Sequence, residues 1–464
     1  MTNGQQVDLL IRSGTVVTTS SRLPADVGIR DGKIVQIGGE MTAAKVIDAS
    51  DRLVLPGGID MHVHLTGVEL PDGSELHWAD DFGSGTRAAA AGGITTVGNI
   101  TFPRPNEGIG EVIQRTAAEV GPLAYVDYAL HPVVLDPALA GPDALRQLAA
   151  DGHTSIKIFM VLGNFDNRAR DYLEVTRSAG ELGMLTLVHC EDGCIIGHIT
   201  ERLVAEGRTG TKWYGASRPV FSEEVAAVRA IGFAEAAEAP IYVVHLSSQA
   251  ALEACHRARA RGVPVYVETR PLYLYLTSDR LQEPDGAKYI GQPPLREASD
   301  VRALWNGLWD GDIQTFCTDH APWKLSEKLD PSLSIVNLRP GVADLETLLP
   351  MLFSEGVNKN RISIHRFVEV TSTNAARLFG LFPRKGTIAV GSDADITIWD
   401  PTLTRAVDGS SMETNADYSP YDGWEVTGWP VMTINRGEVV YDDGRITGQP
   451  GRGQLVKRGP SQML

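Results

Sequence analysis

Several apolar runs of the sequence end in, or enclose, side chains suited to holding cations: His62-Val63-His64, Lys157 within Ser-Ile-Lys-Ile-Phe-Met-Val, His189, His245 and Asp319. In an extended strand, residues i and i+2 face the same way, so His62 and His64 point to one side and Val63 to the other. Two imidazoles can then share one metal ion. A lone histidine in an apolar run is ordinarily a hydrogen-bonded core residue. Here, however, four of the eleven histidines stand at such run ends, beside an aspartate and an intra-strand lysine. Imidazole with carboxylate is the ligand set of Zn²⁺ or a similar divalent ion.

Lys157 is the odd member, because an ammonium repels cations. One reading is a snorkelling or salt-bridged side chain. The other is chemical: burial beside positive metals depresses the amine's pKa, and the neutral amine can add CO₂ to give a carbamate whose two oxygens bridge two ions. Charge counting favours the second reading. Two divalent ions bring four positive charges, and hydroxide, carbamate and Asp319 remove three, leaving one beside four neutral imidazoles.

These residues need a scaffold that gathers strand ends. Between residues 56 and 385, eight β-branched runs (LPGGIDMHVH, ITTVGNI, LAYVDYALH, SIKIFMV, LTLVHC, IYVVHL, VPVYVET and IQTFCTD) alternate with Ala-, Leu- and Glu-rich stretches of helical length. That is the pattern of βαβ units on a parallel sheet, and eight of them make the arithmetic of a TIM (β/α)8 barrel. A doubly wound open sheet is the rival, but it gathers its ligand at one switch point instead of many strand ends. Residues 1–55 and 386–464 are strand-and-turn material, with Asp-Gly and Ser-Gly supplying hairpin turns, and they predict a small β-sandwich domain formed from both termini. The expected organisation is therefore 1–55, 56–385 and 386–464.

Composition narrows the class. Of 464 residues, 58 are acidic and 42 basic, a net charge of −16, which disfavours a nucleic-acid partner. The opening residues have no basic start followed by a continuous apolar stretch, and nowhere do about 18 uncharged apolar residues run together, so neither secretion nor a membrane partner is expected. Four cysteines (Cys190, Cys194, Cys255 and Cys317) are too few to staple this chain and read as reduced thiols in a cytoplasmic protein. Cys190 and Cys194 beside His189 lack the second pair of a thiolate metal site. Asp80-Asp81 and the Ser-Asp-Ala-Asp segment read as turn or cap residues.

The motifs PGGIDMHVHL, IKIFMV, LVHCED, VVHLSS and CTDHAP, in this order and spacing, resemble the hydantoinase/dihydropyrimidinase branch of the amidohydrolase superfamily. The resemblance covers nearly the whole chain. It implies a metal-dependent hydrolase that opens a cyclic amide, a hydantoin or a dihydropyrimidine, with a metal-bridging hydroxide. It further implies that His62, His64, Lys157 and Asp319 bind one ion, and that Lys157 as carbamate, His189 and His245 bind the other. Asp319 would be the catalytic base and then acid. A homo-oligomer, dimer or tetramer, is expected on the same ground, as is a small-molecule cyclic amide substrate. Allantoinase is the alternative activity, and a non-catalytic dihydropyrimidinase-like scaffold the alternative of another class, although such scaffolds lack several of these side chains.

The match has departures. The family usually places a tyrosine five residues after the lysine, where its hydroxyl helps hold the oxyanion; here that residue is Leu162. Tyr273 and Tyr275 are candidates to replace it, with strand packing as their ordinary role. By the same resemblance Gln292 and Asn337 are expected at the ring imide. The loop apolar residues Leu65, Leu162 and Phe165 are expected at the exocyclic group of the substrate, with packing in the core as the equal alternative.

Overall fold

The computed structural model describes residues 5–69 and 73–464. Its centre is a ring of eight parallel strands, each coinciding with one apolar run: β1 (Gly58–Val63), β2 (Ile94–Thr101), β3 (Asp127–Pro132), β4 (Ser155–Phe159), β5 (Leu185–His189), β6 (Ile241–Val243), β7 (Val265–Thr269) and β8 (Thr315–Phe316). β1 to β3 pair as one group and β4 to β8 as another. Parallel bridges from Val133 to Lys157 and from Val63 to His320 join the groups and close the ring. Nearly every strand residue is buried, which is why these strands read as unbroken apolar runs and not as alternating ones.

Helices pack around the ring, among them Phe82–Ala91, Ile109–Val120, Ala169–Glu181, Val220–Ala237, Gln249–Arg259 and Ala298–Asp310. Outward-facing Val63, Val97, Val188 and Val243 share one core with Ala88, Ala227 and Ala258 of those helices. Asp81 caps the helix at Phe82 by accepting from the Ser84 N–H. Close strand approach inside the ring requires a glycine at position 98, where a Cβ would lie 2.8 Å from Met61 Cα and 2.9 Å from its carbonyl oxygen.

The chain ends build two sheets. One holds Gln5–Arg12, Val27–Arg30, Lys33–Ile37 and Met41–Asp48. The other has seven strands and mixes the termini, with Leu53–Pro56 antiparallel to Ile396–Ala406. Leu9, Ile11, Val27, Val54, Ile396 and Ile434 fill the space between the sheets. Asp31-Gly32, Arg436-Gly437 and Asp443-Gly444 make hairpins with positive φ at both residues, as type I′ turns demand. Ser13-Gly14 does not make the expected hairpin. Only Ser13 has positive φ, and the chain crosses there from the first sheet into Thr15–Val17 of the second. Among the described residues no helix is long and apolar enough to cross a membrane.

Candidate active site at the carboxyl ends of the barrel strands

All six side chains singled out for metal chemistry converge at the carboxyl-terminal mouth of the ring. Asp319 Oδ1 lies 3.0 Å from His64 Nε2 and 3.4 Å from His62 Nε2. His62, His64 and Asp319 each offer a ligand atom within 4.8 Å of the others, a set able to hold a divalent ion. Lys157 Nζ is 3.4 Å from His62 Nε2, and His189 Nδ1 is 2.9 Å from His245 Nε2. All six residues are buried. His245 and Asp319, which follow β6 and β8, have φ of 38° and 51°, a left-handed backbone that an ordinary residue adopts only when its surroundings enforce it.

Other buried residues enforce the arrangement. Asp60 Oδ1 accepts the His62 N–H at 3.0 Å, and its Oδ2 accepts the Thr318 N–H and hydroxyl, tying the end of β1 to the turn that carries Asp319. Glu268 Oε1 accepts from His62 Nδ1 at 2.7 Å and from the His245 N–H at 2.9 Å, and Tyr242 Oη donates to Oε2 at 2.9 Å. Glu191 bonds His189 Nε2 at 2.8 Å and Arg218 at 2.8 Å. With Nδ1 of His62 and Nε2 of His189 so engaged, Nε2 of the first and Nδ1 of the second are aimed into the site, the tautomer control that carboxylates exert on metal-binding histidines.

The electrostatics fit cation binding. Burial lowers the pKa of His62, His189 and His245, so their imidazoles are neutral and keep a lone pair to share. Burial also draws Lys157 down to about 8, and no carboxylate forms an ion pair with it among the described residues. Burial opposes ionisation of Asp319, yet the Arg270 guanidinium beside it holds its carboxyl well below the usual carboxylate range.

A cavity of about 250 Å³ opens onto this cluster. Its polar floor is His62, His64, His189, His245 and Asp319, its walls include Val68, Leu76, Trp78, Phe102 and Phe159, and Gln292 stands on its rim. The residues expected at the exocyclic group are placed otherwise. Leu65 is buried against Gly85 and Phe165 stacks on Phe233 and Tyr172, so both belong to the hydrophobic core. Leu162 lies on the wall of a neighbouring cavity that shares Val68 and Phe102 with this one. Asn337 is exposed and its carboxamide oxygen is taken by the Ser334 N–H and hydroxyl. Tyr273 donates to the Pro293 carbonyl at 2.6 Å and Tyr275 packs among Trp305, Tyr421 and Trp424, the packing roles weighed for them from sequence.

Sequence reading missed Asp60, Glu191, Glu268 and Arg270, and the signal was there. Each stands two residues from another inward-facing group: Asp60 before His62, Glu191 after His189, Arg270 after Glu268. In alternating strands that spacing marks the same face. Asp80, read as a turn residue, instead bonds His320 Nε2 at 2.8 Å and so braces the residue next to Asp319.

The amidohydrolase family model matches residues 53–440. The chain is 40% identical to the D-hydantoinase of Rhizobium radiobacter over 97% of its own length and 99% of the relative's. The chain belongs to the hydantoinase branch of the amidohydrolase superfamily. Identity to the D-hydantoinase of Geobacillus stearothermophilus is 39%, over 97% of this chain and 96% of that one. Its fold superposes on the dihydropyrimidinase of Brevibacillus agri with TM-score 0.93 and 38% identity, covering 98% of this chain and 99% of the other. The L-hydantoinase of Arthrobacter aurescens superposes with TM-score 0.89 at 31% identity, covering 97% and 100%. Membership of this branch brings the expectation of divalent metal binding to the mouth of the barrel.

Proposed function

We propose that this member of the amidohydrolase family hydrolyses a ring amide bond of a cyclic ureide, a 5-substituted hydantoin or a dihydropyrimidine. The observation that carries this reading is the convergence of His62, His64, Lys157, His189, His245 and Asp319 at one end of the barrel, where all but Lys157 line one cavity. The fit to a pair of divalent ions, most naturally Zn²⁺, rests on the donor set: four imidazoles, one ionised carboxylate, and a buried amine in no ion pair among the described residues. His62, His64 and Asp319 would hold one ion and His189 with His245 the other, with Lys157 spanning both as its CO₂ adduct. When bound, such ions supply Lewis-acid polarisation of a carbonyl and a water more acidic than bulk.

The chain's own residues supply the rest. Asp319 Oδ1 faces the cavity and takes a proton from the attacking water, then returns it to the departing ring nitrogen, one carboxylate acting as base and then acid. Water adds to the carbonyl carbon, the carbon–nitrogen bond breaks, and a carboxylate and a ureido group result. A cavity of about 250 Å³ is of a size for a five- or six-membered ring. Trp78, Phe102 and Phe159 offer an apolar wall to an exocyclic group, and Gln292 offers an amide edge to the imide. The names of the relatives, D-hydantoinase and dihydropyrimidinase, support this substrate class. All four cysteines are free, which suits a reducing compartment such as the cytoplasm. Phe221, Val225 and Val228 lie exposed along the helix Val220–Ala237, which supports a homo-oligomeric assembly.

The test is a panel of hydantoin, dihydrouracil and allantoin assayed on one metal-loaded preparation. Ring opening of hydantoin or dihydrouracil is expected. Turnover of allantoin alone would favour the allantoinase reading, and no turnover with no stoichiometric metal would favour the scaffold.

A further inference from the structure

Arg270, the first residue beyond β7, is wholly buried, and its Nη1 is bonded to Asp319 Oδ2. The two oxygens of Asp319 are thereby divided: Oδ2 is held by the guanidinium, while Oδ1 faces His64 and His62 at 3.0 and 3.4 Å. Among the described residues Nε and Nη2 of the guanidinium have no hydrogen-bond partner, so Asp319 is the group its bonding is spent on. A Cβ on Gly291 would fall 1.9 Å from Arg270 Nη2, so only glycine leaves the guanidinium its place, and the Tyr273 ring lies 5.0 Å from it. Arg270 is not among the residues that line the cavity, so its route to the reaction runs through Asp319. Glu268, two residues earlier on the same face, grips His62 in the same manner, so one strand end presents an anion to an imidazole and a cation to a carboxylate.

We propose that Arg270 is a positioning residue for Asp319, fixing the carboxylate so that Oδ1 alone is offered to the ligand set and to the water proton. This rests on reading the site as the hydrolytic metal centre. Without the guanidinium, Asp319 is free to turn both oxygens to the cations, and its reach to the proton is lost. Misplacing a catalytic group by about 1 Å costs on the order of 10²-fold in rate.

The test combines steady-state kinetics with the visible ligand-field spectrum of Co²⁺-loaded protein. It uses wild type, Arg270→Met and Arg270→Lys, and the Arg270→Met change placed in an Asp319→Asn background. Arg270→Met is expected to lower kcat about 10- to 100-fold, the range seen when partners of metal ligands are removed, with KM changed by less than about 3-fold. Its Co²⁺ spectrum should shift, Arg270→Lys should recover part of both effects, and in the Asp319→Asn background Arg270→Met should leave the spectrum where it was. An unchanged kcat and spectrum, a KM effect with kcat kept, or a spectral shift that persists without the Asp319 carboxylate would each overturn the proposal. Should Arg270→Met fail to fold, the Arg270→Lys pair decides alone: a spectrum and kcat identical to wild type from a single-donor cation refute a positioning role. The spectral arm needs no substrate. A wild type that binds Co²⁺ yet opens no cyclic ureide counts against the functional reading and leaves the Arg270 result to be judged by its spectrum.

Discussion

Replacing Glu268 with glutamine removes one buried charge while leaving the local shape intact. Glu268 Oε1 accepts from His62 Nδ1 and the His245 N–H, and Oε2 accepts from Tyr242 Oη. A glutamine placed the same way keeps its oxygen for His62 and His245 and turns its amide N–H toward Tyr242 Oη, which can pass its own proton to Thr315 Oγ1 at 2.5 Å. The fold therefore survives, and only the charge assistance to His62 and His245 is lost. Hydrogen bonds to charged groups contribute about 1.5 to 3 kcal/mol against about 0.5 to 1.5 for neutral ones. Over two bonds the loss is about 2 kcal/mol, roughly 30-fold in an equilibrium constant, inside the range of about 10 to 100 for partners of metal ligands. Competition against a graded set of chelators should show Glu268→Gln releasing metal at correspondingly lower chelator strength, with Tm within a few degrees of wild type. Metal affinity and kcat equal to wild type would refute the assignment of Glu268 as the group that orients His62.

Burial opposes ionisation of Glu191, but Arg218 and His189 hold its pKa down to about 2 from an ordinary 4.5. A depressed carboxyl pKa gives stability present above pH 4.5 and lost as the pH falls toward 2, worth about 3 kcal/mol in all. Urea unfolding of the metal-free protein over that window should show this slope, and Glu191→Gln should flatten it; an equal slope in both proteins would count against the pairing. Gly98→Ala should cost about 1 to 3 kcal/mol, because the new methyl meets the buried His131 ring and, behind it, the Met61 backbone, which cannot give way. A calorimetric Tm equal to wild type would show that β1 and β2 do not approach as described. Prolonged dialysis against a chelator should abolish ring opening, and restoration should need bicarbonate as well as Zn²⁺, since the amine of Lys157 must be carboxylated again; full recovery with Zn²⁺ in CO₂-free buffer would contradict that requirement.

The barrel was legible because its strands are buried on both faces and so appear as apolar runs, and because ligands at their ends interrupt that apolarity where a core would not. His62-Val63-His64 needed only the two-residue period of a strand. Glu268 and Arg270 obey the same period but are hidden, since the run VPVYVET ends without a histidine or a paired ligand to mark its inward face. The positive φ of His245 and Asp319 leaves no mark on the sequence, because histidine and aspartate do not announce a left-handed backbone as glycine does. The apolar loop residues were the least legible. Leu65 and Phe165 went to the core because burial of a large apolar side chain against Gly85 or Phe233 is available to them, and residue type alone does not distinguish that from a substrate contact. Ser13-Gly14 failed as a hairpin for a related reason: the dipeptide permits a tight turn, and partner strands elsewhere decide whether it is used.

The most direct test is a paired measurement on freshly prepared protein: metal content per chain, and the intact mass of the chain under non-denaturing conditions, for wild type and Lys157→Ala. The account predicts two divalent ions and the added mass of one CO₂ in wild type, with both lost, together with ring-opening activity, in Lys157→Ala. A Lys157→Ala protein that keeps two ions and full activity, or a fully active wild type with an unmodified amine at Lys157, would contradict it.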